Sequence, residues 1–357
     1  MTLLRVLIEI LGFFKFLWTL FTVDSPKPIR LVYPALSIKP FRLLHLPSLA
    51  HDVIFSEMST KELYHLSKCS RRGRYAVKMF TRRQKYEFSI TASESFCSLY
   101  ISNLFGRKTV YRTFKSLDSI KPLDRFPFIT YSPGLWAATK DDIAYFLDVF
   151  TKKVHCLHFY NTTIVKKMTE FLKEKAALQV DWVWYDVREI DDEVYKYVLR
   201  EFRDVKELSI DAFPSANFRF DDMEPLTSDF VTIKNAVWLT VDNLTRCFTN
   251  VKRVRLWTTW DKCLNVLVFN QFLNAWINGL RVGELDLVWD CTNFDMQTIF
   301  KNVPKTEVKR IEVGDRKRVF KDGKCFLIRQ KESGAEAIVH FKTPFLNRPS
   351  ICFTTNF

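Results

Sequence analysis

The chain has 357 residues and is 47% hydrophobic, with 33 Phe, 9 Trp, only 9 Gly and 13 Pro. That excludes a disordered or low-complexity chain and leads to an expectation of two or three packed units. A formal net charge of +14 would suit phosphate or anionic lipid, yet the basic residues crowd into 71–85 and 301–331, where solvated helix faces and strand edges explain them. Eight cysteines stand singly with no CxxC, which argues against a disulfide framework and for buried thiols in a reducing compartment.

Residues 2–23 are largely apolar, but Arg5, Glu9, Gly12, Lys15, Thr19 and Thr22 recur every three or four positions as one polar stripe. Two central charges at about +3 kcal/mol each offset the apolar side chains, so 1–23 is expected to be a surface-lying amphipathic helix instead of a span. No small-residue cleavage site follows, so it does not read as a signal peptide. Two prolines in DSPKPIR open a linker over 24–40.

Three helices are expected over 41–82. Pro47 suits a first helical turn, and Leu49, Val53, Ile54 and Met58 recur on one face. Ser59 and Glu62 form the S-x-x-E pattern of a capping box that starts a second helix, with Leu63, Leu66 and Ser67 on one side. Ser70 can cap a third helix carrying Tyr75, Met79 and Phe80 on one face, while Val53 and Cys69 are assigned to the interior.

Over 83–138 the period shortens, and YEFSI, SLYIS and TVYRTF read as short strands in a connecting region. From 139 strand and helix patterns alternate. A helix stripe at Ile143, Phe146, Leu147 and Phe150, capped by Thr139 with Asp142, leads into VHCLHFYN, and further pairs follow down to KRIEV. Strand centres recur every 25–31 residues, with an extra short segment near 234–250. That step favours an α/β solenoid with a parallel sheet, similar to a leucine-rich repeat without its Asn ladder, over a doubly wound sheet. From 318 the period turns to two. Asp322-Gly323 and Ser333-Gly334 mark reversals, so an antiparallel β cap is expected to close the C-terminal end.

Few residues point to chemistry. His155 and His158 fall in a strand, where residues three apart face opposite ways, so no metal pair is expected. Asp141/Asp142 and Asp191/Asp192 read as helix-start carboxylates, and no GxxxxGK, GxGxxG, GxSxG or HExxH occurs. No catalytic residue, metal or cofactor is expected. Aromatic residues interleave with the basic run at 71–85, but a core face ringed by solvated charge explains them without nucleic acid.

Leu46-Pro47, Val53-Ile54-Phe55, Met58, Leu63, Leu66-Ser67 and Cys69-Ser-Arg-Arg resemble an F-box over 42–80. Ala50 and His51 replace the acidic residue often found after Leu-Pro, Gly73 falls inside the third helix, and the usual Trp after the basic pair is absent. WLTVDNLTRCF, FNQFLNAWINGLRVGELDLVW and CFLIRQKESGAEAIVHF resemble the F-box-associated type 2 domain of the large nematode F-box families, over roughly 200–357.

The resemblance implies an α/β fold: a three-helix F-box at 41–82, then a leucine-rich-repeat-like solenoid at 139–357 with its β cap from 318. It implies the non-catalytic substrate receptor of an SCF-type (Skp–cullin–F-box) ubiquitin ligase. Leu46, Pro47, Ile54, Phe55, Met58, Leu63 and Leu66 would meet a Skp-type adaptor, and through it a cullin scaffold. The solenoid would hold a protein client through Asp181, Val183, Tyr185, Arg253, Arg255, Asp286 and Val288, read as outward strand positions, with Trp182, Trp184 and Trp276 in the core. Such a protein is expected in the cytoplasm or nucleus, with peripheral membrane contact through 2–23 left open. The competing reading is a basic nucleic-acid-binding or membrane-surface protein with no role in ubiquitination.

Overall fold

The computed structural model describes residues 43, 46–103, 108–115, 128–175, 179–222, 224–257, 266–280, 284–288, 295–308, 310–313, 316–319, 325–342 and 350–355. The amphipathic helix expected at 2–23, the linker at 24–40 and the Asp322-Gly323 turn lie outside them. Two compact units are present, Met1–His45 and Leu46–Phe357. The boundaries expected at 82 and 138 fall inside the second, which is a mixed α/β unit.

This second unit begins with three helices, α1 (Ser48–Glu57), α2 (Thr60–Cys69) and α3 (Arg71–Arg83). The capping box forms as expected: Glu62 N–H donates to Ser59 Oγ and Ser59 N–H donates to Glu62 Oε2 at 2.7 Å. Ser70 accepts from Gly73 N–H at 3.0 Å and starts α3 one residue after α2 ends. So tight a junction needs Gly73, because a Cβ there would lie 2.5 Å from the Leu66 carbonyl oxygen. Phe55 meets Phe80 edge-on at 5.5 Å, and with Leu63 and Val77 these form the inside of the element.

Four strands come next: β1 (Tyr86–Ala92), β2 (Phe96–Asn103), β3 (Lys108–Phe114) and β4 (Phe128–Tyr131). The first three are antiparallel, and β4 runs parallel to β3. The first three are the strands expected in a connecting region, β4 is additional to that expectation, and all four are one wing of the main sheet, since β1 pairs in parallel with β5 (Cys156–Phe159).

From β5 the strands β6 (Trp182–Glu189), β7 (Glu207–Phe213), β8 (Phe230–Lys234), β9 (Arg253–Trp257) and β10 (Glu284–Val288) lie side by side in chain order, all parallel. Helices α4 (Leu135–Val149), α5 (Thr163–Glu174), α6 (Asp192–Glu201) and α7 (Val266–Ile277) accompany them. β8 is a full strand that the sequence pattern does not name, just ahead of the extra segment expected near 234–250. Its Val231 pairs with Leu208 and Val254, each 23 residues away. Asn235 has φ +61° and its Nδ2 donates to Ala212 O at 3.3 Å, while Asn243 Nδ2 donates to Phe220 O at 2.7 Å. Each buried amide reaches the backbone 23 residues earlier and ties this segment to the one before it.

After the short helix α8 (Met296–Ile299) come β11 (Thr306–Glu307), the separate hairpin β12 (Arg310–Val313) and β13 (Arg316–Val319), then β14 (Cys325–Arg329), β15 (Glu336–Lys342) and β16 (Ser350–Thr355). The last three are antiparallel as expected, Gly334 turning between β14 and β15 at φ +67°. β16 pairs antiparallel with β10, so this cap extends the same sheet, which has 14 strands among the described residues and edges at β4 and β11.

One strand parity is buried against the helices: Leu157, Phe159, Val183, Tyr185, Leu208, Ile210, Val231, Ile233, Val254, Leu256 and Leu285. Helix stripes meet it as expected, with Phe146 against Phe88 and both Phe272 and Trp276 against Phe353 at 5.2 Å. Helix α4 starts at Gly134, so Thr139 and Asp142 lie within it and do not cap it. Asp191 does cap α6, accepting from Glu193 and Val194 N–H.

Candidate functional site

Two exposed surfaces stand out, one on the three helices and one on the side of the sheet opposite α4–α7. On α1 the inward stripe is His51 and Phe55, stacked at 5.5 Å. Residues two apart on a helix point roughly 200° from each other, so Leu49 and Val53 face outward, at 78% and 52% exposure. On α3 the inward stripe is Gly73, Val77, Phe80 and Thr81, which turns Tyr75 and Met79 out at 65% and 41% exposure. Val53, Tyr75, Met79 and Cys69 are therefore not interior residues: Cys69 stands two past the buried Ser67 and is exposed.

An ion pair between Asp52 and Arg83 links α1 and α3, each flanking one of these apolar stripes. Of the seven residues assigned to an adaptor, Phe55 and Leu63 are fully buried within the element. Pro47 is exposed, and Leu46, Ile54, Met58 and Leu66 are partly exposed.

The other side of the element is fixed to the α/β core. Tyr64 stacks on Phe146 at 5.3 Å, Ser67 Oγ and Tyr145 Oη are 2.6 Å apart, and Lys68 Nζ sits 3.6 Å from the Tyr145 ring centre. Burial, then the charge of Asp142, pushes the Tyr64 hydroxyl up to about 12. Arg74 and Lys78 both pair with Asp148, and Thr81 Oγ1 donates to Val149 O. The element is thus tied to the α/β core by stacking, hydrogen bonds and ion pairs.

On the open sheet face, β6 corrects the expected parity. Val183 pairs with Leu157 and Leu208 in the helix-facing layer, so Val183 and Tyr185 are core, while Trp182 and Trp184 are outward at 39% and 42% exposure. Asp181 is also buried. It binds Lys153 and Lys206 at 2.7 and 2.9 Å and lies 3.1 Å from His155 Nδ1. Burial alone would raise its pKa, but the hydrogen bonds from Lys153, Lys206 and His155 prevail and hold it well below the usual carboxylate range. It is a structural clamp across the starts of β5, β6 and β7. Trp276 is core, as expected.

His158, Tyr160 and Trp184 form an aromatic cluster, with ring centres 4.2 Å apart for His158–Tyr160 and 5.6 Å for His158–Trp184. Sequence reasoning missed it by placing both tryptophans inside. Farther along, Arg253 and Arg255 flank Phe230, Arg253 pairs with Glu284 at 2.6 Å, and Arg255 Nε is 3.4 Å from Asp286 Oδ2. Arg253, Arg255 and Asp286 thus share this face as expected; Val288 is in β10, its side chain outside the described residues.

Among the described residues no cluster of His, Cys, Asp or Glu could hold a metal, and no helix is long and apolar enough to cross a membrane. Compared with protein-family models, curated proteins and solved structures, the chain matches none.

Proposed function

We propose that this chain is the non-catalytic substrate receptor of an SCF-type ubiquitin ligase, docking on a Skp-type adaptor through its three helices and holding a protein client on the open sheet face. The observation that carries the reading is the pair of outward apolar stripes, Leu49/Val53 and Tyr75/Met79, on an element whose interior is already filled by Phe55, Leu63, Val77 and Phe80. Covering such side chains with a partner is worth about 1.5–3 kcal/mol for each one fully buried. The adaptor surface is accordingly assigned to Pro47, Leu49, Val53, Tyr75 and Met79, with Ile54 and Met58 at its margin, while Phe55 and Leu63 support it from inside.

In this reading the in-order parallel strands, stepping by 23 to 31 residues between paired positions, form a leucine-rich-repeat-like solenoid behind an F-box. Its client side carries Trp182, Trp184, Arg253, Arg255 and Asp286. Against the nucleic-acid alternative, Arg74, Lys78 and Arg83 of the basic run already pair with Asp148 and Asp52, which leaves Arg71, Arg72, Arg82 and Lys85 as its remaining exposed charges. The test is coexpression of the full chain with a Skp-type adaptor and purification through either partner. The reading requires a complex that Val53→Asp disrupts without lowering the melting temperature. Retention on heparin or single-stranded nucleic acid with no adaptor complex would favour the alternative.

A further inference from the structure

Three acidic side chains of the open sheet face are closed by basic partners on neighbouring strands. Asp211 pairs with Lys234, Asp286 with Arg255 and Glu284 with Arg253. Asp186, on the same side of the same sheet, forms no side-chain hydrogen bond or ion pair among the described residues, although Arg188 stands two positions later. Its neighbours are aromatic. Trp184 precedes it by two on the outward parity, and Tyr160 comes after Phe159, whose register partner Tyr185 adjoins Asp186. The carboxylate acts electrostatically on both His158 and Tyr160. Burial, against the pull of Asp186, keeps the His158 pKa below its ordinary value, so at neutral pH its imidazole adds no competing positive charge.

An exposed indole, an exposed phenol and an uncompensated carboxylate on one patch are the complement of a cation that also has an apolar, stackable surface. A guanidinium meets both requirements better than an ammonium, because it is planar, weakly hydrated and stacks on aromatic faces. We propose that Trp184, Tyr160 and Asp186 seat an arginine side chain from an extended basic segment of the client. The guanidinium lies over the aromatic faces and donates to the Asp186 carboxylate. This deepens the reading of the open face as the client surface and rests on it.

The chain's net charge of +14 makes the test sharp, since bulk electrostatics alone favour acidic peptides. Fluorescence anisotropy on the full chain would compare a labelled peptide alternating arginine with serine against the same peptide carrying glutamate for arginine. The arginine peptide is expected to bind more tightly. Trp184→Ala, Tyr160→Ala and Asp186→Asn should each weaken it by roughly three- to tenfold with circular dichroism unchanged. Absent binding, preference for the glutamate peptide, or equal affinity in all three variants would overturn the inference. Adaptor capture measured on the same preparations separates the two ideas: if it persists while peptide binding fails, only the arginine seat is lost.

Discussion

The two exposed surfaces are built on opposite plans. On the helices the outward stripes are apolar side chains interleaved with the exposed Arg71, Arg72 and Arg82, and the nearby Asp52–Arg83 pair is already closed, so a partner gains by excluding water from the stripes while leaving those guanidiniums solvated or paired. On the sheet Asp211, Glu284 and Asp286 have cross-strand partners, whereas the patch around Trp184 combines exposed rings with an open carboxylate. A partner there must exchange ion pairs or find that patch, which favours selection over raw affinity. One surface suits a constant partner and the other a chosen one.

The strongest way to break this comparison is to exchange inside for outside on the helices. Leu63→Asp puts a charge at a fully buried position and should cost about 3–5 kcal/mol, unfolding the element in a denaturant titration. Val53→Asp, at an outward position, should change stability by no more than about 0.5 kcal/mol while abolishing adaptor capture. On β6 the same contrast applies: Val183→Ala should lose about 2 kcal/mol and Trp184→Ala far less, reversing the expectation from sequence.

Gly73→Ala sharpens the contrast by loosening the helical base itself. Its Cβ would meet the Leu66 carbonyl oxygen, and a loss of about 1–3 kcal/mol by thermal melting is expected, with weaker adaptor capture. The smallest effect concerns pH. Because the folded Asp181 carboxyl titrates below its unfolded value near 4, its contribution is fully present above that pH and fades as the pH falls through the folded value. Asp181→Asn should therefore cost about 1–2 kcal/mol at pH 7 and flatten the acid limb of the stability profile below about pH 5.

Local signals were readable and phases were not. The Ser59–Glu62 box, the Ser70 cap, the Gly334 turn and the Ile143/Phe146/Leu147/Phe150 stripe of α4 all appear where short-range chemistry puts them. On β6, WVWY is apolar at both parities, so hydrophobicity could not choose a face; pairing with Leu157 and Leu208 chose it, and a slip of one reverses every side chain. On α1 apolar residues lie nearly all round, so tertiary packing against Phe80 of α3 decided which turned in. The membership of β1–β4 in the main sheet depends on β1 meeting β5 some 67 residues later, a non-local contact with no sequence signature. The aromatic patch was hidden by the same parity error that buried Trp184.

The most direct test of the central idea is titration calorimetry of a purified Skp-type adaptor into the full chain, wild type and Val53→Asp, with melting curves recorded alongside. A saturable complex that weakens by roughly tenfold or more in the variant, at unchanged melting temperature, is the predicted result. Heat of dilution alone from the wild type, or equal affinity in both proteins, would contradict it.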